Sequence, residues 1–527
     1  MNEDRLLARL PDALNCIWPR RDSPGFALAM HVGERAVFTF TTGLADLAEG
    51  RPIMVDTVFN IGSTSKQFTA FAAMLLAEDG RLDLDAPVAE VVPELEHTGS
   101  AVSARQLIHH TGGLRDYLTL LELTGRTFWD HADKAETMAQ LAAQRGTLFP
   151  AGARFSYSNT GYFVLSAMVE RLSGRSLAQF SRERIFRPLG MERSAVVDRY
   201  PAEIDDMARG YRPARGGFDL CESRWEQTGD GQVHSTVLDL SRWSRNLSSG
   251  AVGGTAVARM MAEPGRLADG APVDYAGGIE IETRGGRRIL RHDGSWGGYR
   301  ADFARIPELD LTVAILANRT DVPVLRLTNR ILDLALDDTG TSASRPARRN
   351  AGRPEVGTFR DPASGRYLTI HRDDRGFLLD LSSDRYLLVE AGGGWRAMEA
   401  DGSEAAEIFA FAPDAVEVDE GEGAIRFLRV EIAKTVQNEA FAGLYISDEA
   451  LTEAHVLVRQ EGLFLAISRG LVALHPGIRD EFFTTRSPLD SGRCCPVLVF
   501  ERVEGRVAGF RYRSHHVDGL TFRRAGG

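Results

Sequence analysis

At 527 residues the chain is too long for one ordinary core and calls for roughly two to four domains. Its 43% hydrophobic and 26% charged residues are those of a globular protein, and a net charge of −11 argues against nucleic acid or an anionic membrane as partner. The start, Met1 to Leu10, is charged and lacks the apolar core of a signal peptide, and the four cysteines show no metal-binding spacing. A reduced, cytoplasmic protein without metal or cofactor is expected.

Residues 3–17 read as an amphipathic helix through Leu6, Leu7, Leu10 and Leu14. Segments 26–32 and 36–41, joined across Gly33-Glu34-Arg35, read as a β-hairpin. Gly62-Ser63-Thr64-Ser65-Lys66 follows and opens a helix whose buried stripe is Phe68, Phe71, Ala72, Leu75 and Leu76, with Gly80 as its stop. Ser63 sits in the first helical turn and Lys66 three residues on, so the amine is within reach of the hydroxyl. Only three lysines occur among the 62 basic residues, and arginine cannot serve as a base. A lysine kept one turn from a serine fits the activation of a nucleophile.

From about residue 100 to 270 helical patterns and loops predominate. Strands return at 278–283, 288–292, 299–306 and 311–318, and residues 322–336 close as a helix. Strands from both ends then form one antiparallel sheet with helices on its faces and a largely helical insert, an α+β sandwich over residues 1–338. Residues 339–354 read as a linker. Beyond it, Gly357-Thr358-Phe359 matches Gly443-Leu444-Tyr445, and Gly376-Phe377-Leu378-Leu379 matches Gly462-Leu463-Phe464-Leu465, each pair 86 residues apart. Two related all-β barrels are expected, at 355–435 and 436–527.

Two further segments carry chemistry. Tyr157-Ser158-Asn159 precedes a helical pattern; a phenol near a lysine amine can share or lose its proton, and Asn159 offers an amide to a substrate carbonyl. Arg291-His292-Asp293-Gly294-Ser295 closes a predicted strand, where a histidine beside glycine can reach over a cleft.

Taken in this order, Ser-x-x-Lys, Tyr-x-Asn and His-x-Gly resemble the serine β-lactamase and penicillin-binding-protein superfamily, in its class C-like branch. The resemblance implies that Ser63 is the acylated nucleophile and that Lys66 and Tyr157 form the proton-transfer pair. Asn159 and His292 would orient substrate, and the backbone N–H groups of Ser63 and Ser295 would form the oxyanion hole. His292 stands where the β-lactamases of the superfamily carry lysine, which argues against penicillinase activity.

The layout of a catalytic domain followed by two barrels is similar to that of bacterial D-stereospecific aminopeptidases. That likeness implies a homodimer that releases N-terminal D-residues, D-alanine-like or glycine, from small peptides, amides or esters. It also implies that a loop at about 484–495 reaches the site, with Asp490 meeting the substrate ammonium. The alternatives are an esterase or D-amino-acid amidase, and a penicillin-binding-like sensor that acylates without turnover.

Overall fold

The computed structural model describes residues 3–14, 22–202, 204–336, 352–381, 384–391, 394–398, 405, 408–419, 424–432, 438–489 and 495–526. The chain divides into two compact units, one of Met1–Leu114, Phe128–Met138 and Phe149–Ser342, the other of Arg115–Thr127, Ala139–Leu148 and Ala343–Gly527.

The first unit is built on six antiparallel strands in the spatial order Glu280–Arg284, Arg287–Trp296, Tyr299–Ile306, Leu311–Ala317, Phe26–Val32, Arg35–Thr42. Strands from the two ends of the unit pair at its middle, from Phe26↔Ala317 to Val32↔Leu311, as the sequence predicts. All seven residues of Leu311–Ala317 are buried, because helices cover both faces of this strand. On one face lie the helices Glu3–Leu14 and Val324–Leu336. Their Leu6, Leu10, Leu327 and Ile331 share a core with Leu28, Ile289, Val313 and Ile315 from the sheet. The recurrence of Leu6/Leu10 and Leu327/Ile331 at i, i+4 makes the apolar stripe that seats each helix.

The helix Lys66–Glu78 is buried on every side from Lys66 to Leu76, so the predicted stripe is only part of its buried surface. Trp243, from the helix Val237–Ser249, packs its ring 4.6 Å from Phe68 and 5.0 Å from Phe71, and its Nε1 donates to Gln67 Oε1 at 2.9 Å. Arg81 N–H bonds back to the carbonyl of Leu76 at 2.8 Å and closes the helix end around Gly80. Ser63 itself lies in a 3₁₀ turn, Gly62–Ser65, that leads into the helix. The strand Arg287–Trp296 runs past its predicted end at His292, since pairing with Tyr299–Ile306 continues to Trp296↔Tyr299.

The second unit gathers the β-rich remainder with two segments from earlier in the chain. Arg115 Nη1 lies 2.7 Å from Glu449 Oε2 and its Nε donates to the carbonyl of Asp518 at 2.9 Å. One domain is an eight-stranded antiparallel sheet running from Gly357 to Arg429, in which the first and last strands pair; the other is a closed eight-stranded barrel from Gly443 to Arg524. The repeat seen in the sequence is a repeat of register. Leu368↔Leu381 and Asp373↔Gly376 in one domain correspond to Ala454↔Ile467 and Arg459↔Gly462 in the other. Most of the predicted linker lies outside the described residues. Among the described residues no helix is long and apolar enough to cross a membrane.

Candidate active site

The turn that carries Ser63 is stitched to its surroundings on two sides. Asn60 Oδ1 accepts from Gly62 N–H at 2.8 Å, Ile61 N–H donates to the carbonyl of Val233 at 3.0 Å, and Ser65 Oγ accepts from Val233 N–H at 3.0 Å. From the other side Thr64 Oγ1 donates to the carbonyl of His292 at 3.0 Å. Glycines allow the closest approach. Gly62 has φ +53°, and a Cβ on it would lie 2.6 Å from Ser295 N; a Cβ on Gly294 would lie 2.0 Å from the carbonyl oxygen of Ile61 and 3.2 Å from Ser63 N. No side chain fits between these two backbones. Their contact sets the backbone nitrogens of Ser63 and Ser295 beside the same junction. Ser295 is exposed at the end of its strand.

Lys66 is fully buried beneath this turn. Its Nζ lies 3.0 Å from Ser63 Oγ, 2.8 Å from Asn159 Oδ1 and 2.9 Å from the carbonyl oxygen of Asp230. The latter two oxygens can only accept, so they take two N–H bonds in either protonation state. The third direction, toward Ser63, holds a proton in the ammonium and a lone pair in the amine. A neutral Lys66 is therefore already oriented to receive the Ser63 proton. Asn159 is placed by the helix it opens, Asn159–Ser173, whose cap Ser158 accepts through Oγ from Gly161 N–H at 3.4 Å. Sequence reasoning gives Asn159 to the substrate; its Oδ1 is in fact turned to Lys66, and its Nδ2 is what remains for a substrate carbonyl.

The Tyr157 ring lies 4.8 Å from Lys66 Nζ. Burial pushes the phenol pKa well above its ordinary value, and the neighbouring Ser63 hydroxyl only partly offsets this. The phenol thus keeps its proton in the resting site, where the sequence suggests that it shares or loses it. Desolvation of an anion outweighs the nearby amine.

His110 is a residue that the motifs missed. Its carbonyl accepts from Ser156 N–H at 2.9 Å and its Nδ1 from Ser158 N–H at 3.0 Å, so it grips the chain on both sides of Tyr157. Its ring packs 4.3 Å from the Tyr157 ring, with Tyr275 at 4.5 Å and Tyr162 at 5.1 Å. Burial pushes its pKa well below the usual value and keeps it neutral. Its backbone has φ +57°, uncommon for a residue other than glycine. The available signal was the turn His109-His110-Thr111-Gly112-Gly113, which does not say which histidine meets Tyr157.

His292 does not reach over a cleft. It is 1% exposed, its Nδ1 donates to the carbonyl of Asp293 at 2.6 Å, and its Nε2 accepts from the Tyr275 hydroxyl at 2.9 Å. Burial pushes its pKa down to about 4, so it is neutral. With both ring nitrogens engaged it holds the nucleophile turn through its carbonyl and has no free nitrogen for a substrate. Glu280, His292 and Asp293 each bring a potential ligand atom within 4.8 Å of the others, but the imidazole has no lone pair left for a metal. Asp490 lies outside the described residues.

Residues 4–337 match the Beta-lactamase family. A D-aminopeptidase of Cereibacter sphaeroides is 27% identical over 394 residues, covering 74% of this chain and 72% of that protein. Penicillin-binding protein 4* of Bacillus subtilis is 30% identical over 315 residues, covering 56% of this chain and 68% of that protein. In fold, the chain is similar to the octameric penicillin-binding protein homologue from Pyrococcus abyssi. The TM-score is 0.56 at 22% identity, over 81% of this chain and all of that one. With Ser-x-x-Lys, Tyr-x-Asn and His-x-Gly converging on one turn of such a fold, the chain belongs to the β-lactamase family and is a serine hydrolase.

Proposed function

We propose that the protein is a D-aminopeptidase that releases an N-terminal D-residue from small peptides, amides or esters through an acyl-enzyme on Ser63. The observation that carries the serine chemistry is the 3.0 Å separation of Lys66 Nζ and Ser63 Oγ, with the other two amine directions fixed by acceptors. The likeness to a D-aminopeptidase over 74% of the chain supports the substrate class.

Ser63 Oγ attacks the substrate carbonyl as its proton passes to the Lys66 amine. The oxyanion forms against the N–H groups of Ser63 and Ser295. As the tetrahedral intermediate collapses, the leaving amine takes the Tyr157 phenol proton, and the phenol is re-protonated from the Lys66 ammonium. Water then attacks the ester, gives a proton to Lys66, and Ser63 leaves with a proton returned by the same pair. A phenol that keeps its proton at rest suits this donor role.

Hydrolysis of D-alanine p-nitroanilide, measured beside its L-enantiomer and its N-acetylated form, tests the reading. Turnover of the free D-amine alone is expected. If all three fail while p-nitrophenyl acetate is hydrolysed, the aminopeptidase assignment falls and an esterase takes its place.

A further inference from the structure

The strand that carries Ser295 ends one residue later, at Trp296. Side chains alternate along a strand, so Leu290, His292, Gly294 and Trp296 share a face. Gly294 on that face meets the nucleophile turn, whereas Ile289 on the other face lies in the core with the two outer helices. Trp296 therefore stands on the nucleophile side of the sheet, about 7 Å beyond Gly294. Phe128 packs edge-on to it at 4.7 Å and Trp225 at 6.3 Å, and Phe128 and Trp225 are 5.9 Å apart. Gln232 ties this wall to the Ser63 turn, donating through Nε2 to the carbonyl of Trp225 at 2.7 Å and accepting through Oε1 from Asn60 at 3.2 Å.

Trp225 is buried, while Phe128 and Trp296 are half-buried and keep part of their rings open. Trp296 Nε1 is buried and has no hydrogen-bond partner among the described residues.

We propose that Trp296, Phe128 and Trp225 form the subsite for the side chain of the residue whose carbonyl Ser63 attacks, and that this side chain is large and apolar, aromatic above all. The proposal rests on the acyl-enzyme reading above, and it replaces the alanine-like or glycine side chain that the family resemblance implies. The Ser295 N–H fixes the substrate carbonyl one residue from the wall, and the side chain departs from the carbon next to that carbonyl. None of the three rings carries a charge, so an apolar group gains by burial there and an ionic one does not.

The test compares kcat/KM for the p-nitroanilides of D-phenylalanine, D-leucine and D-alanine in the wild type, in Trp296→Ala and in Trp296→Phe. The expected result is a preference for D-phenylalanine over D-alanine of about tenfold or more. That ratio falls to about one in Trp296→Ala and is partly kept in Trp296→Phe. If Trp296→Ala does not fold, Phe128→Ala opens the wall from its other side and gives the same loss. A wild type that prefers D-alanine, or a ratio unmoved by both variants, overturns the proposal. If no free-amine anilide is turned over, the aminopeptidase reading has failed, and the wall is tested separately with p-nitrophenyl 3-phenylpropanoate against the propanoate. A preference of about tenfold that Trp296→Ala removes upholds the subsite, and equal rates overturn it.

Discussion

Lys66 is held by Asn159 Oδ1 and the Asp230 carbonyl so that one direction of its nitrogen is left to Ser63. Arginine at this position keeps a charge, cannot lose a proton, and brings a planar fork that these acceptors do not match. Lys66→Arg is expected to lower kcat by about 10³-fold or more, read in steady-state hydrolysis of p-nitrophenyl acetate. His110 shapes the site differently, by setting the chain around Tyr157. Asparagine there keeps an acceptor for Ser158 N–H and tolerates a positive φ, whereas phenylalanine keeps a ring and offers neither. His110→Asn is expected to stay within about tenfold of wild-type kcat, and His110→Phe to lose about 10²-fold with KM little changed. A larger loss in His110→Asn than in His110→Phe would show that the ring stack, and not the hydrogen bond, places Tyr157.

Among the elements, the 3₁₀ turn Gly62–Ser65 and the strand Arg287–Trp296 make the site by touching. A methyl group on Gly294 would collide with the Ile61 carbonyl, and backbone cannot rotate aside as a side chain does. Gly294→Ala is expected to cost about 1–3 kcal/mol of stability in urea denaturation and to lower kcat by about 10²-fold as the two N–H donors part. The helices, the hairpins and the Ser63–Lys66 pair were legible because each is a local pattern, with apolar residues at i, i+4, strands flanking glycine turns, or two side chains one turn apart. The Gly62–Gly294 contact was not, since it joins residues far apart in the chain. The Asp230 carbonyl was not legible either, because a main-chain acceptor has no residue type to announce it. The misreading of His292 has the same origin: the pleat sends its ring inward, and only the fold supplies Tyr275 to occupy it. The all-round burial of the Lys66 helix depends on Trp243 and Phe186, which come from other parts of the chain.

For the whole molecule, buried ionisable groups make stability depend on pH. Burial, with the Asp293 charge added, pushes the Glu280 carboxyl up to about 7 from an ordinary value of 4.5. The folded protein thus keeps a proton that the unfolded chain releases. The stability this confers is complete below about pH 4.5 and is lost as pH rises through about 7. Glu280→Gln has no such proton to lose, so its Tm relative to wild type is expected to rise between pH 4.5 and 7; a constant difference would contradict the assignment. The account as a whole rests on a covalent intermediate at one hydroxyl. Its most direct test is peptide mass spectrometry of the protein quenched in acid during turnover of p-nitrophenyl acetate, for wild type and Ser63→Ala. The account predicts an acetyl group on the peptide that contains Ser63, with neither adduct nor turnover in the variant. An adduct on another residue, or hydrolysis that persists in Ser63→Ala, would contradict it.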